Sequence, residues 1–310
     1  MALLLTAGAR LLQYGGAMVL FGAALFFLHG LRGDAGRRAV GLGWPRWGFA
    51  FAALALLIGG AAGLSAETAA MTDQPADALR PAALWGVLSG SQFGLAIGAR
   101  LGLAALALVA SLMPGSRGLW AVLALLGAGV TASFAWTGHG AMDDGAAGLV
   151  HLGADIIHLF AAGLWLGAVA ALAALAPSRR IRGDDAALQA LHDSLRRFSG
   201  TGTLAVALLI LTGLVNSWFL VGPDHLGALL HSLYGGVLIA KLLVFALMLV
   251  LAARNRYRLT PRLAEGLLAR APERALDGLA WSIGLETVAA TLVLALVGVL
   301  GTVPPLSMPM

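Results

Sequence analysis

The stretch HLGADIIH, from His151 to His158, sets two imidazoles and a carboxylate four and three residues apart. At 100° per residue an α-helix brings His151, Asp155 and His158 onto one stripe. The helical rise separates the two histidines by about 10 Å. They cannot ligate one ion together, because metal to nitrogen bonds are about 2 Å long. Each could take a metal with a donor from another helix, giving a ladder, or Asp155 could orient either ring from behind. A buried polar network that fixes helix packing predicts the same composition and is the bland alternative.

Just upstream lies TGHGAMDD, from Thr137 to Asp144. It gathers His139 and Met142 beside two aspartates, adding a soft thioether to imidazole and carboxylate. That mixture suits copper in either oxidation state. Further soft or nitrogen donors that could capture a metal on the same side are Met71, His225, His231 and, in the terminal SMPM, Met308 and Met310. The chain has no cysteine, which excludes disulfides, thiolate sites, iron–sulfur clusters and a cysteine nucleophile. No catalytic set is read from the pattern, so binding and transport are expected rather than catalysis, with redox chemistry left open.

These residues need helices to position them. With 59% hydrophobic residues, 11% charged residues and a mean hydropathy of +0.87, the chain does not have the composition of soluble domains, which are about 45 to 50% apolar and about 25% charged. Apolar runs long enough to cross about 30 Å of hydrocarbon fall at 4–31, 44–64, 93–113, 119–136, 149–175, 204–221, 233–253 and 279–302. Trp44 and Trp47 extend the second run as interfacial anchors. The periodicity is helical throughout, so the expectation is an all-α polytopic membrane protein, a single bundle of eight transmembrane helices over 1–310. The stretch 262–278 reads as an amphipathic helix on the cytoplasmic surface.

Charge gives the topology. Most of the 20 basic residues fall in alternate connections, Arg32 to Arg46, Arg117, Arg179 to Arg197 and Arg254 to Arg274, whereas the opposite set holds only Arg80 among several aspartates. The positive-inside rule then puts both termini in the periplasm and the arginine-rich segments in the cytoplasm, next to membrane lipid. The net charge of +5 is thus a topology signal rather than a sign of a nucleic-acid partner. The acidic outer face would attract cations. No GxxxxGK[ST] loop is present, which argues against ATP-driven transport by this chain alone.

Ionisable residues within a span cost about 2.5 to 3.5 kcal/mol each on insertion scales and are functional candidates by default. Beside Asp155 and His158 these are Arg10, Arg100, Lys241 and Glu286. Lys241 and Glu286 could pair, and Arg10 and Arg100 are candidate partners for Asp155. Asn216 and Tyr234, with Gln13, Tyr14 and Gln92, add polar groups on several helices. His29 and His192 are assigned to the interface or surface.

Taken in order, WTGHG (Trp136 to Gly140), HLGADIIHLFAAGLWLG (His151 to Gly167), RRFS (Arg196 to Ser199), GLVN (Gly213 to Asn216), Tyr234 with Lys241, AARNR (Ala252 to Arg256) and Glu286 followed by LGT (Leu300 to Thr302) resemble the copper resistance protein D family. The resemblance implies an eight-helix protein of the bacterial cytoplasmic membrane, acting in copper homeostasis and thought to admit copper to the cytoplasm. It implies a periplasmic copper-binding partner of the copper resistance protein C type, here a separate polypeptide. It carries His139, Met142, His151, Asp155 and His158 as copper candidates, with Glu286 and Lys241 as internal polar groups.

Two rival readings stand beside uptake. One is a haem-binding cytochrome or copper reductase, in which His151 or His158 would have to pair with a histidine elsewhere, such as His231 or His29. The other is a sensor or assembly partner that presents copper without translocating it.

Overall fold

The computed structural model describes residues 2–31, 44–138 and 144–307. His139, Met142, Met308 and Met310 therefore lie outside the described residues. Among the described residues eight helices are long and apolar enough to cross a membrane: α1 (Leu3–His29), α2 (Pro45–Thr72), α3 (Gln92–Ser111), α4 (Arg117–Trp136), α5 (Gly145–Leu175), α6 (Asp185–Leu220), α7 (Leu233–Leu268) and α8 (Glu273–Leu300). No strand occurs among the described residues. Serine caps start three of the helices: Ser91, Ser116 and Ser232 accept from the amides of Gly94, Leu119 and Gly235. Each satisfies one of the amides a helix start leaves unpaired.

Successive helices run in opposite directions. Both described ends of the chain meet at one end of the bundle, where Gly298 of α8 packs on Ala7 of α1. That end is called outer here and the arginine-rich end inner.

α1 is the spine, packed against α2, α4, α5 and α8. Its middle, Val19–Ala23, is a π-helical turn. At that turn a Cβ on Gly22 would strike the carbonyl oxygen of Gly163 in α5, and a Cβ on Gly167 would strike the Met18 carbonyl. On the other flank Gly127 of α4 abuts Leu20 and Phe21. Small residues four apart, Gly163 and Gly167, let the α1 and α5 backbones meet without side chains between them.

The inner end departs from the sequence reading. Most of the arginine-rich segment 179–197 is the inner end of α6 itself, because Leu188, Leu191 and Leu195 recur at helical spacing and bury one face in the core. His192 shares that face and is 6% exposed, so its assignment to the surface was wrong. His29 is exposed, as expected. The single surface helix expected over 262–278 is divided. Its first part continues α7 through a second π-turn, Asn255–Leu259, into Thr260–Leu268, and its second part opens α8 at Glu273. The break falls where Arg270 turns left-handed (φ 55°) and Ala271 and Arg270 donate to the carbonyls of Gly266 and Leu267, a helix-ending arrangement, just before Pro272.

Candidate metal site

The α5 stripe meets a matching stripe of α6. His151 stacks face to face on Phe219, with ring centroids 4.5 Å apart. Asp155 Oδ1 accepts from Asn216 Nδ2 at 3.4 Å. His158 Nδ1 lies 2.9 Å from Thr212 Oγ1. Thr212, Asn216 and Phe219 are four and three residues apart, so the antiparallel helices zip together residue by residue.

The network assigns the His158 tautomer. The Thr212 hydroxyl gives its proton to the Leu208 carbonyl at 2.6 Å, so the imidazole must donate from Nδ1. Nε2 is left with its lone pair, the form in which histidine binds metals.

Asp155 feels the charge of His151 and of Lys241 on α7. Its neighbour Asn216 keeps an amide oxygen that is buried and has no hydrogen-bond partner among the described residues. A Cβ built on Gly138 would lie 4.0 Å from Asp155 Oδ2, so the residue preceding His139 in sequence sits against this carboxylate. Imidazole, carboxylate and amide groups thus follow one another along a single α5–α6 seam. Among the described residues no three histidine, aspartate or glutamate side chains form a closed cluster.

A second polar network occupies the outer half of α1, α3 and α4. Arg100, 2% exposed, donates to Gln13 Oε1 (2.7 Å), Ser133 Oγ (2.9 Å), the Ser133 carbonyl (3.1 Å) and Thr137 Oγ1 (2.7 Å), and lies 3.8 Å above the Phe134 ring. Gln13 in turn donates to the Gly59 carbonyl of α2 at 3.0 Å. Arg100 is therefore not a partner of Asp155; its fork ties three helices to the segment leading into TGHG. Lysine in its place keeps the charge but loses the planar fork. Arg100→Lys is expected to lower the melting temperature of the purified protein by several degrees, and an unchanged melt would show that these hydrogen bonds carry no stability. Tyr14 stands between the networks, its ring tilted against Phe134 with centroids 4.6 Å apart, and near Arg10, Asp155 and Arg100. The Arg10 guanidinium lies over Gly301 instead of meeting Asp155.

The Lys241–Glu286 pair does not form. Glu286 accepts from Trp165 Nε1 at 3.1 Å and Asn255 Nδ2 at 2.9 Å. Asn255 is fourteen residues beyond Lys241 in α7, about 21 Å along the axis, so the two charges belong to different depths. Tyr234 is also no part of a polar path: it is buried with Val221, Leu238 and Leu300. Gln92, Met71, His225 and His231 are exposed toward the outer end.

His29, whose Nδ1 meets the Leu25 carbonyl, ends α1 at the inner side. It lies roughly 23 Å of helix from the level of His158, which excludes a haem held between those two rings.

Sequence reasoning missed Thr212, which fixes the ring of His158, and the buried methionines Met18 and Met248. These pack with Trp165, Ala205 and Leu209 at mid-depth. A lone threonine in LLILTG carries almost no signal, although its position four residues before Asn216 places it on the same face.

The copper resistance protein D-like N-terminal domain model matches residues 1–149, and the copper resistance protein D model matches residues 192–300. "Copper resistance protein D" of Pseudomonas syringae pv. tomato is 34% identical over 97% of both chains. "Inner membrane protein YebZ" of Escherichia coli (strain K12) is 27% identical over 72% of each. "Copper transport protein CutJ" of Bacillus subtilis (strain 168) is 33% identical over 44% of this chain and 24% of its own. No solved structure matches the chain. With its eight apolar helices and these two family matches, the chain is a multi-pass inner-membrane protein and belongs to the copper resistance protein D family.

Proposed function

We propose that the protein takes copper from the periplasmic face and moves it toward the cytoplasm, with copper as substrate rather than resident cofactor. The observation that carries this reading is the α5–α6 seam: His158 with a fixed Nδ1–H and a lone pair left on Nε2, and one helical turn away Asp155 with the Asn216 oxygen, which is buried and has no hydrogen-bond partner among the described residues. Imidazole nitrogen, a borderline donor, suits copper in either oxidation state, and the carboxylate and amide oxygens favour the harder Cu(II). His139 and Met142 would deliver the ion from the outer loop, with Met71, His225, His231 and the terminal methionines as dispersed capture groups. A periplasmic carrier of the copper resistance protein C type would supply it.

Below this site the bundle is closed. Trp165, which packs edge-on against Phe245 at 5.8 Å, forms an apolar plug with Met248 and Leu209. Beneath the plug a cavity of about 450 Å³ is lined by Glu286, Asn255 and Arg256 among others. A donor seam on one side of an apolar plug and a cavity on the other are the parts that alternating access across the bundle would need.

Proteoliposomes tested with ascorbate-reduced Cu(I) and with Cu(II) should accumulate copper. Asp155→Asn should slow uptake at least tenfold without changing the yield of folded protein. Uptake no faster than in empty vesicles under both conditions would sink the transport reading. Copper binding without uptake would support presentation to another protein instead.

A further inference from the structure

The inner cavity is not explained by copper capture. It lies between α6 and the inner part of α7, on a floor from α5 and α8, and its deepest polar group is Glu286, 4% exposed. Both carboxylate oxygens meet neutral donors, Trp165 and Asn255. No salt bridge reaches Glu286 among the described residues. Arg254 and Arg256 flank Asn255 in sequence; Arg254 does not line the cavity, and the guanidinium of Arg256 is engaged elsewhere, donating to the Ser199 carbonyl at 3.2 Å and to the Thr203 hydroxyl on α6. Asn255 Oδ1 is buried, has no hydrogen-bond partner among the described residues and belongs to a residue that lines the cavity.

We infer that Glu286 and Asn255 form a proton-binding station that exchanges with water on the arginine-rich side through this cavity. It extends the transport reading above, for which it supplies the counter-ion.

The case rests on donors and acceptors. A carboxylate in a low-dielectric interior is costly to keep charged without a cation. A resident metal ion would need several oxygen ligands, as hard cations take six or more. Only the Glu286 carboxylate and one amide oxygen are offered, and the carboxylate oxygens are already engaged. A proton needs one oxygen to sit on and one acceptor to point at. Half a turn of the Asn255 amide, whose oxygen and nitrogen are nearly equal in shape, supplies that acceptor. In the charged state Nδ2 donates to Oε2; in the neutral state Oε2–H donates to Oδ1.

The π-turn at Asn255–Leu259 holds the asparagine here. The Asn255 carbonyl accepts from the Thr260 side chain five residues on, at 2.9 Å, and π-turns recur at functional positions.

The other charged or titratable groups lining the cavity are Arg196 on α6 and Arg256 and Tyr257 on α7. α5 contributes the neutral Trp165, and α8 no second ionisable group. α1, packed on the other side of α8, has none between Tyr14 and His29. The two arginines face the entrance, where they disfavour a hydrated metal cation and leave proton transfer open.

The test is infrared difference spectroscopy on the metal-free, full-length protein in vesicles, reading the C=O stretch of a protonated carboxyl. Acidification should raise a band that Glu286→Gln removes and Asp155→Asn retains. Asn255→Leu should shift its frequency. A pH jump on the arginine-rich face should produce it before one on the opposite face does.

A band that survives Glu286→Gln, one that follows sodium at constant pH, or one reached first from the opposite face would each overturn the station. Should Glu286→Gln not fold, the Asn255→Leu frequency shift decides alone. Because no copper is present, failure here is separable from failure of copper uptake.

Discussion

His158→Ala is expected to weaken copper binding by the purified protein more than about 100-fold, and Thr212→Val by about tenfold. The first removes the donor itself. The second leaves the ring in place but takes away the oxygen to which Nδ1 donates, at 2.9 Å, so that Nε2 is no longer held as the lone-pair nitrogen. Outer partners of ligating histidines are worth about 10- to 100-fold in affinity, and tenfold is about 1.4 kcal/mol. The two effects should also differ in kind. Thr212→Ser, which restores the hydroxyl acceptor, should recover most of the Thr212→Val loss, whereas it cannot rescue His158→Ala. His29→Ala, exposed at the inner end of α1, should bind within twofold of the unaltered protein. Competition against a chromophoric copper chelator measures each of these. Equal affinity in His158→Ala and the unaltered protein would remove the site from α5.

The second large effect is on assembly. Gly22→Val is expected to cost about 3 kcal/mol or more, since overfilling a packed interior costs about 1 to 3 kcal/mol and this contact is backbone on backbone. The Cβ would land on the Gly163 carbonyl, and neither helix can retreat, because Gly127 of α4 closes the opposite side of the same π-turn. Gly15→Val, at an open position of the same helix, is the control and should be nearly neutral. Monodisperse yield in detergent and the thermal midpoint read the difference. A Gly22→Val protein as stable as Gly15→Val would show that the α1–α5 crossing is looser than drawn.

Much of this architecture can be read from the amino acids, because a bilayer makes long apolar runs obligatory. The α5 stripe can be read for the same reason: histidine and aspartate in such a run stand out against their surroundings. Their partners do not. Thr212 is small, half apolar and sits in LLILTG, and only the pairing of α5 with α6 gives it meaning. Depth was the harder quantity. Lys241 and Glu286 look like a natural pair until the register of α7 against α8 sets Glu286 opposite Asn255. The inner segments read as loops because an arginine-rich helix with a single leucine face lacks the hydropathy of a membrane span. His192 rides on that face and was misplaced with it.

Trp165 has two duties that nothing in its sequence context advertises. Its ring is a wall of the plug, and its N–H holds Glu286. The barrier and the inner carboxylate therefore share one moving part, like a latch whose tongue is also its sensor. The ring cannot swing aside without releasing the carboxylate, and a change at the carboxylate alters how firmly the ring is held. Such a linkage would let the state of the inner face set the threshold for passage from the outer one, through a single hydrogen bond and with no change in either binding site.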